Sequence, residues 1–350
     1  MDRDDWHMRK IHCGLGRGDG TAAMSDPLPR VTVLVPSRPG PTHLKAVEAA
    51  RRLNYPADRL EIIIAWGHPI PAIKRNRAVR AATGDWIYFL DDDSVPDVDN
   101  LQRAAALMED KKVQVMGGPS VCPGDAPFLE HAFAAVMGNG LAFGPSCARY
   151  RPVGRRRDSS EKELILCNML MARGPFLAAG GFDETLYPNE ENALMDELQK
   201  QGGRLIYHPE MLVYRRPRHS LGAFAKMLMT YGRGRAEQFR LHPTFGSAAN
   251  FVPPLFCLYL LLLAVLPSWF RWPLVLYGAV VVLAALTTLR HPMPPALTRW
   301  QKCLLAFLAV PLIFMTHVLY GLGFWRGLFR RLKKDKTLTE GEIRLETVKV

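Results

Sequence analysis

Residues 85–97 read DWIYFLDDDSVPD: five mostly apolar residues, Trp86 to Leu90, running straight into Asp91, Asp92 and Asp93. A short apolar run bounded by turn signals predicts a strand buried on both faces. Three carboxylates at its tip repel one another, so the pattern implies something that neutralises them. A hard divalent cation, Mg2+ or Mn2+, takes oxygen ligands and shares them with a substrate's phosphates. An acidic surface turn is the plainer alternative.

The flanking stretches extend the pattern. VTVLVP (31–36), EIIIAW (61–66) and VQVMGG (113–118) are further apolar runs rich in β-branched residues. Between them a helical period starts near Thr42, with Leu44, Val47, Ala50 and Leu53 on one face, and a second helix spans about 71–82 with Gly84 as the residue that closes it. Strand–helix alternation with apolar strands predicts an α/β fold, a mostly parallel sheet with helices on both faces. Ligands of such sheets bind beyond the carboxyl ends of the strands, which is where the three aspartates fall.

Hydropathy divides the chain. Three apolar segments without a charged residue, 251–270, 272–289 and 303–324, are each close to the roughly 20 residues that cross a bilayer. Buried core helices are the alternative reading. The net charge of +12 sits at their borders: residues 215–240 hold seven Lys/Arg against one Glu, and 326–336 hold six against one Asp. Charge placed there reads as attraction to anionic headgroups and cytoplasmic retention, not as nucleic-acid binding. If all three segments cross, the basic tail ends on the far side. Pro311 in the third segment leaves open a re-entrant hairpin that returns the tail. The six cysteines are scattered without a CxxC pair, which fits reduced thiols. No apolar core of a signal peptide shows in 1–29. The expected organisation is a disordered arm (1–29), an α/β domain (30–220), a basic amphipathic juxtamembrane segment (221–250), a membrane region (251–329) and a basic tail (330–350).

With these residues in place, the chain resembles the family 2 glycosyltransferases of GT-A fold over about residues 30–220. The likeness rests on VTVLVPSR (31–38), YPADRLEIII (55–64), AIKRNRAVRAATGDWIYFLDDD (72–93), NMLMARGPFLAAGGFDE (168–184) and NEENALMDELQKQGGRLIYHPEMLVY (189–214), in that order. YGRGRAEQFRLHP (231–243), followed by apolar segments, is similar to the membrane-anchored bacterial branch that extends lipid-linked sugars for exopolysaccharides of the succinoglycan type.

The resemblance implies an inverting transfer of one sugar from a nucleotide-sugar, a UDP-sugar, to a polyprenyl-linked sugar acceptor. The enzyme would be multi-pass in the bacterial inner membrane, with its catalytic domain cytoplasmic. It makes Asp91 and Asp93 the metal ligands and puts Asp92 near the ribose. Pro36, Ser37 and Arg38 would line the nucleotide, with Arg75 reaching the base or diphosphate and Asn76 structural. Glu191 would be the catalytic base, with Glu190 the acid before it, although the family usually has Asp at the base position and Asn192 is an alternative occupant. Arg233 and Arg235 would hold the diphosphate or anchor phospholipid.

Three departures matter. Ala65-Trp66-Gly67 stands where the family has base-reading aspartates, which makes Trp66 a candidate to stack on the base. Arg215 and Arg216 stand where many members carry a metal-binding His. No QxxRW motif of processive synthases occurs. The rival readings are a polyprenyl-phosphate sugar synthase, a nucleotidyltransferase without its Gly-rich loop, and a catalytically degenerate membrane scaffold.

Overall fold

The computed structural model describes residues 28–38, 44–186, 188–241, 243, 245–290, 297–331 and 343–349. Nearly all of the expected N-terminal arm and residues 332–342 and 350 of the tail lie outside the described residues.

The strands are β1 (Val31–Pro36), β2 (Leu60–Trp66), β3 (Trp86–Leu90), β4 (Val95–Pro96), β5 (Val113–Gly117), β6 (Ser120–Val121), β7 (Arg157–Asp158), β8 (Asn168–Ala172), β9 (Arg204–Tyr207), β10 (Val213–Tyr214) and β11 (Arg344–Val348). The helices are α1 (Lys45–Ala50), α2 (Pro71–Ala81), α3 (Asn100–Met108), α4 (Phe128–Met137), α5 (Gly140–Phe143), α6 (Arg173–Ala178), α7 (Glu190–Lys200), α8 (Leu221–Leu241), α9 (Val252–Leu262), α10 (Trp272–Thr287) and α11 (Arg299–Phe329).

The central sheet runs β11-β2-β1-β3-β8-β5-β9-β7. Its parallel run is β2-β1-β3, and β5 pairs parallel with β9. Antiparallel ladders join β8 to β3 and β5, β7 to β9, and β11 to β2, so the sheet is mixed. Side chains alternate across it, as strand geometry requires. Val31, Val33, Val35, Ile62 and Ile64 pack beneath α1 and α3. Leu34, Ile63, Ile87 and Phe89 pack against α2, α6 and α7 on the other face. Gly84 does not close α2, which ends at Ala81. A Cβ there would stand 2.5 Å from the backbone N of Thr32, so the position serves a close approach to β1 instead.

Two expectations about the C-terminal region are corrected. The first apolar segment does not form one long helix: α9 has 11 residues, roughly 16 Å, well short of the ~30 Å hydrocarbon core. The third segment is not a hairpin, because α11 runs unbroken for 31 residues with Pro311 inside it. Two helices, Ser268–Thr287 and Arg299–Phe329, are long and apolar enough to cross a membrane. They also dock on the α/β head: Phe133 and Val136 of α4, Phe224 of α8, Val281 of α10 and Ile313 of α11 share one core. Their outer faces stay apolar and exposed, as at Trp272, Leu276, Leu283 and Phe307.

α11 lies closely along α8. A Cβ on Gly232 would meet the Tyr320 carbonyl oxygen at 2.0 Å, and one on Gly323 the Met229 carbonyl oxygen at 2.2 Å. Residues 344–348 are not a free tail. They add β11 to the edge of β2, with Trp66 Nε1 donating to Glu346 Oε2 at 3.0 Å. The ladder occupies N–H and C=O groups that an open edge would leave unpaired.

Candidate active site

β1, β2 and β3 end together, and their carboxyl ends open on a cavity of about 810 Å³. Asp91 and Asp92 follow β3 directly and line it, as do Pro36 and Arg38 after β1. Ser37 is buried just behind; its carbonyl accepts from Lys74 Nζ at 2.6 Å, which ties the end of β1 to α2. Burial lowers the Lys74 pKa to about 8, the neighbouring Arg75 charge acting in the same direction. Sequence reasoning passed over Lys74, because a helical run of basic residues does not announce which one turns inward.

Arg75, one residue on, is buried and joins two halves of the site. Its Nη1 donates to Glu190 Oε1 at 3.2 Å and its Nη2 to Asp91 Oδ1 at 3.0 Å. Its Nε is buried with no hydrogen-bond partner among the described residues. Asn76 turns the other way and holds the 180–184 turn, with Nδ2 donating to the Phe182 carbonyl at 2.8 Å and Oδ1 accepting from Phe182 N at 2.9 Å.

The two glutamates enter on the first turn of α7. Asn189 before them has φ 90°, a left-handed backbone that asparagine tolerates better than most non-glycine residues. Glu190 is buried; desolvation first, then the Glu191 charge, push its pKa up, against the pull of Arg75. Glu191 is half-buried and lines the cavity beside it. Asn192, the alternative occupant of the base position, accepts from Arg149 Nη2 at 2.6 Å and donates to Asn189 Oδ1 at 2.9 Å. Arg149 lines the cavity too and also holds the Glu161 and Lys162 carbonyls, which folds the 142–163 loop over α7.

Arg215 faces the aspartates. Its Nη1 lies 3.0 Å from Asp91 Oδ2, and its Nε donates to Asp93 Oδ1 at 2.6 Å. Burial raises the Asp91 pKa, but Arg215 and Arg75 outweigh it and hold the group below the usual carboxylate range. Asp92 moves the opposite way, raised by burial and by the charges of Asp93 and Asp91. Arg216 turns away toward Asp125 and Glu130.

The structure therefore gathers Pro36, Arg38, Arg75, Asp91, Asp92, Glu190, Glu191 and Arg235 on one cavity, with Ser37 behind and Asp93 at its edge. Arg233 is not on the lining; its Nε lies 3.6 Å from Glu237, one turn along α8. Trp66 is also off the lining and is engaged with Glu346.

A divalent cation fits this arrangement poorly. Among the described residues no three His, Cys, Asp or Glu side chains group to hold a metal, so an ion here would need the substrate's phosphates as further ligands. The space between Asp91 and Asp93 is bridged by the Arg215 guanidinium.

The cavity continues past the charged cluster onto the C-terminal helices. Val252 and Phe256 from α9, Tyr277 from α10, and His317 and Tyr320 from α11 line that end. His317 Nε2 lies 2.9 Å from the Leu141 carbonyl and must donate to it. Its Nδ1 is then an acceptor for the Tyr277 hydroxyl at 2.7 Å.

Comparison with known proteins places this geometry. Residues 62–161, which include α2, the aspartate trio and Arg149, match the model of Glycosyl transferase family 2. No curated protein matches. Among solved structures, the mannosyltransferase PcManGT from Pyrobaculum calidifontis, in complex with GDP-Man and Mn2+, superposes with a TM-score of 0.53 at 17% identity, over 86% of this chain and 88% of that one. S. aureus TarS reaches a TM-score of 0.41 at 12% identity, over 83% of this chain and 55% of that one. The match over residues 62–161, with the aspartate trio at the ligand edge of an α/β fold, supports a glycosyltransferase.

Proposed function

We propose that the protein transfers one sugar, with inversion, from a nucleotide-sugar donor to a lipid-linked acceptor at a membrane surface. The observation that carries this reading is the single cavity that joins Asp91, Arg75 and Glu191 to Phe256, Tyr277 and Tyr320 of apolar C-terminal helices. A water-soluble acceptor has no need of that second end. A lipid-linked sugar does, and the exposed outer faces of α9, α10 and α11 suit a bilayer from which it would enter. The resemblance of residues 231–243 to the exopolysaccharide branch supports a bacterial, inner-membrane setting with a cytoplasmic head. The catalytic unit on this reading is 30–220 completed by β11.

The donor would lie over the ends of β1 and β3, with Asp92 toward the ribose and Arg38 toward the nucleotide. Arg75 brings a buried Nε–H with no partner, a donor suited to a phosphate oxygen. As the anomeric C–O bond breaks, its electron pair goes to the departing diphosphate. Fixed cations stabilise that charge where it develops. The acceptor oxygen forms the new bond from the opposite face and gives its proton to Glu191. Glu190, committed to Arg75, keeps the guanidinium aimed.

A second reading, transfer to a polyprenyl phosphate, is favoured by the surplus of cations: eight Lys/Arg against four Asp/Glu on the lining. Such an acceptor is already an anion and needs no base. The test is a panel of nucleotide-sugars offered to the full chain in detergent with a short-chain polyprenyl-diphosphate sugar, a polyprenyl phosphate and the same sugar without lipid. Mass analysis should find product only with a lipid-bearing acceptor. Transfer to the lipid-free sugar at equal rate, or no transfer from any donor, defeats the proposal.

A further inference from the structure

The three-stranded sheet β4-β10-β6 decides where Arg215 points. β10 pairs antiparallel with β4, Tyr214 opposite Val95, and parallel with β6, Tyr214 opposite Val121. Arg215 N then donates to the Val121 carbonyl at 3.0 Å. β4 begins two residues after Asp93, so the ladder sets the residue after Tyr214 across from the aspartate loop. The guanidinium reaches both outer carboxylates from there, at 3.0 and 2.6 Å.

A guanidinium is planar and carries five N–H donors. Contacts through Nη1 and Nε to Asp91 and Asp93 leave the two N–H groups of Nη2 and one of Nη1. Fork-shaped donors of this kind match phosphate oxygens. The charge balance agrees. The cavity lining carries eight Lys/Arg and four Asp/Glu, an excess of four positive charges before any ion is added. Arg218, on the same lining, adds its field at Asp91. A diphosphate meets a complementary charge there unaided, and a divalent cation meets a guanidinium already in place.

Resting on the donor reading above, we propose that Arg215 takes the place of the divalent cation between Asp91 and Asp93, so that the donor's diphosphate is held by the chain's own guanidinium groups and binds without metal. Asp91 and Asp93 then act as positioning residues: they hold the guanidinium at the end of β3 and are not ligands. An always-charged group at that point makes donor affinity insensitive to the metal supply, at the expense of the tighter local charge density that a small ion gives.

The test is calorimetric binding of UDP and of GDP to the full chain in detergent, after EDTA treatment and again with added Mn2+. The wild type should bind one of them in EDTA, with an affinity that Mn2+ alters less than twofold. Arg215→Ala should weaken binding roughly ten- to hundredfold in both buffers, as loss of a charge-assisted contact does. Arg215→His puts an imidazole, a metal ligand, in its place. That variant should bind weakly in EDTA and recover with Mn2+, which also checks that the fold survived. Manganese magnetic resonance should show a bound ion in Arg215→His and none in the wild type. Wild-type binding that appears only with Mn2+, or a stoichiometric Mn2+ site in the wild type, overturns the proposal. No nucleotide binding in either buffer defeats the donor reading itself, and this inference with it.

Discussion

Glu190 Oε1 accepts a hydrogen bond from Arg75 Nη1 at 3.2 Å, and both side chains are buried. Its neighbour Glu191 stands on the cavity wall, so the two adjacent glutamates hold separate posts. Glu191→Gln should lower kcat by about 10²–10⁴ while leaving the donor KM unchanged, as loss of a general base does. Glu190→Gln should instead raise the donor KM and lower stability by less than the about 3–5 kcal/mol of a broken buried pair, since a glutamine can still accept from Arg75. Steady-state kinetics and thermal unfolding of both variants check the assignment. Near-normal turnover in Glu191→Gln would point to the phosphate acceptor.

Asp91 links the site to acid stability. Arg215 and Arg75 hold its folded pKa below the unfolded value of about 3.9. Between the two values the folded state binds fewer protons, so the stabilisation is complete above the unfolded pKa and is lost as pH falls through the lowered folded pKa. Asp91→Asn lacks this contribution. The difference in Tm between wild type and Asp91→Asn should be constant from pH 7 to 5 and shrink below pH 4. A difference that grows with acidity would contradict the pairing.

Gly232 and Gly323 let α8 and α11 touch backbone to backbone. A leucine at either position must push the helices apart, an overpacking that costs about 1–3 kcal/mol or more. Gly232→Leu and Gly323→Leu should each lower Tm in detergent, and the double variant should lose less than the sum, because the first displacement opens room for the second. Activity on the lipid acceptor should fall with them, since Tyr320 on the cavity lining rides on the same stretch of α11.

The pairing of β11 with β2 fixes sidedness. Cysteine placed at Asp58, an exposed position beside β2, and at Lys349, beside β11, should be labelled by a membrane-impermeant thiol reagent from the same side of sealed vesicles. Labelling from opposite sides would break the ladder. Any bilayer crossing by α10 or α11 must accordingly be undone before residue 344.

Much of the head was legible because its signals are local. Apolar runs fixed β1, β2, β3 and β5 to within a residue or so, and the aspartate trio announced the ligand edge. What escaped depends on contacts between distant stretches. RLETV (344–348) is short and has two charged residues among its five, and nothing in its composition says that it completes a sheet begun at residue 31. Lys74 and Arg149 look like any surface cation until their partners, the Ser37 carbonyl and Asn192, are brought up. Trp66 was a reasonable stacking candidate, and only the C-terminal strand claims its indole N–H. The continuous apolar stretch 251–270 conceals a break after Leu262, because length and hydropathy cannot tell one helix from two that turn back.

The bond from Trp66 to Glu346 spans 280 positions. A ribosome that has made the whole Rossmann-like head still has every apolar helix left to synthesise before the outermost strand exists. The head must therefore wait, with the flank of β2 open, while the later helices find their place. Completion of the central sheet thus reports that the apolar C-terminal helices have already been delivered, and a chain whose helices go astray is left with an unfinished, aggregation-prone edge.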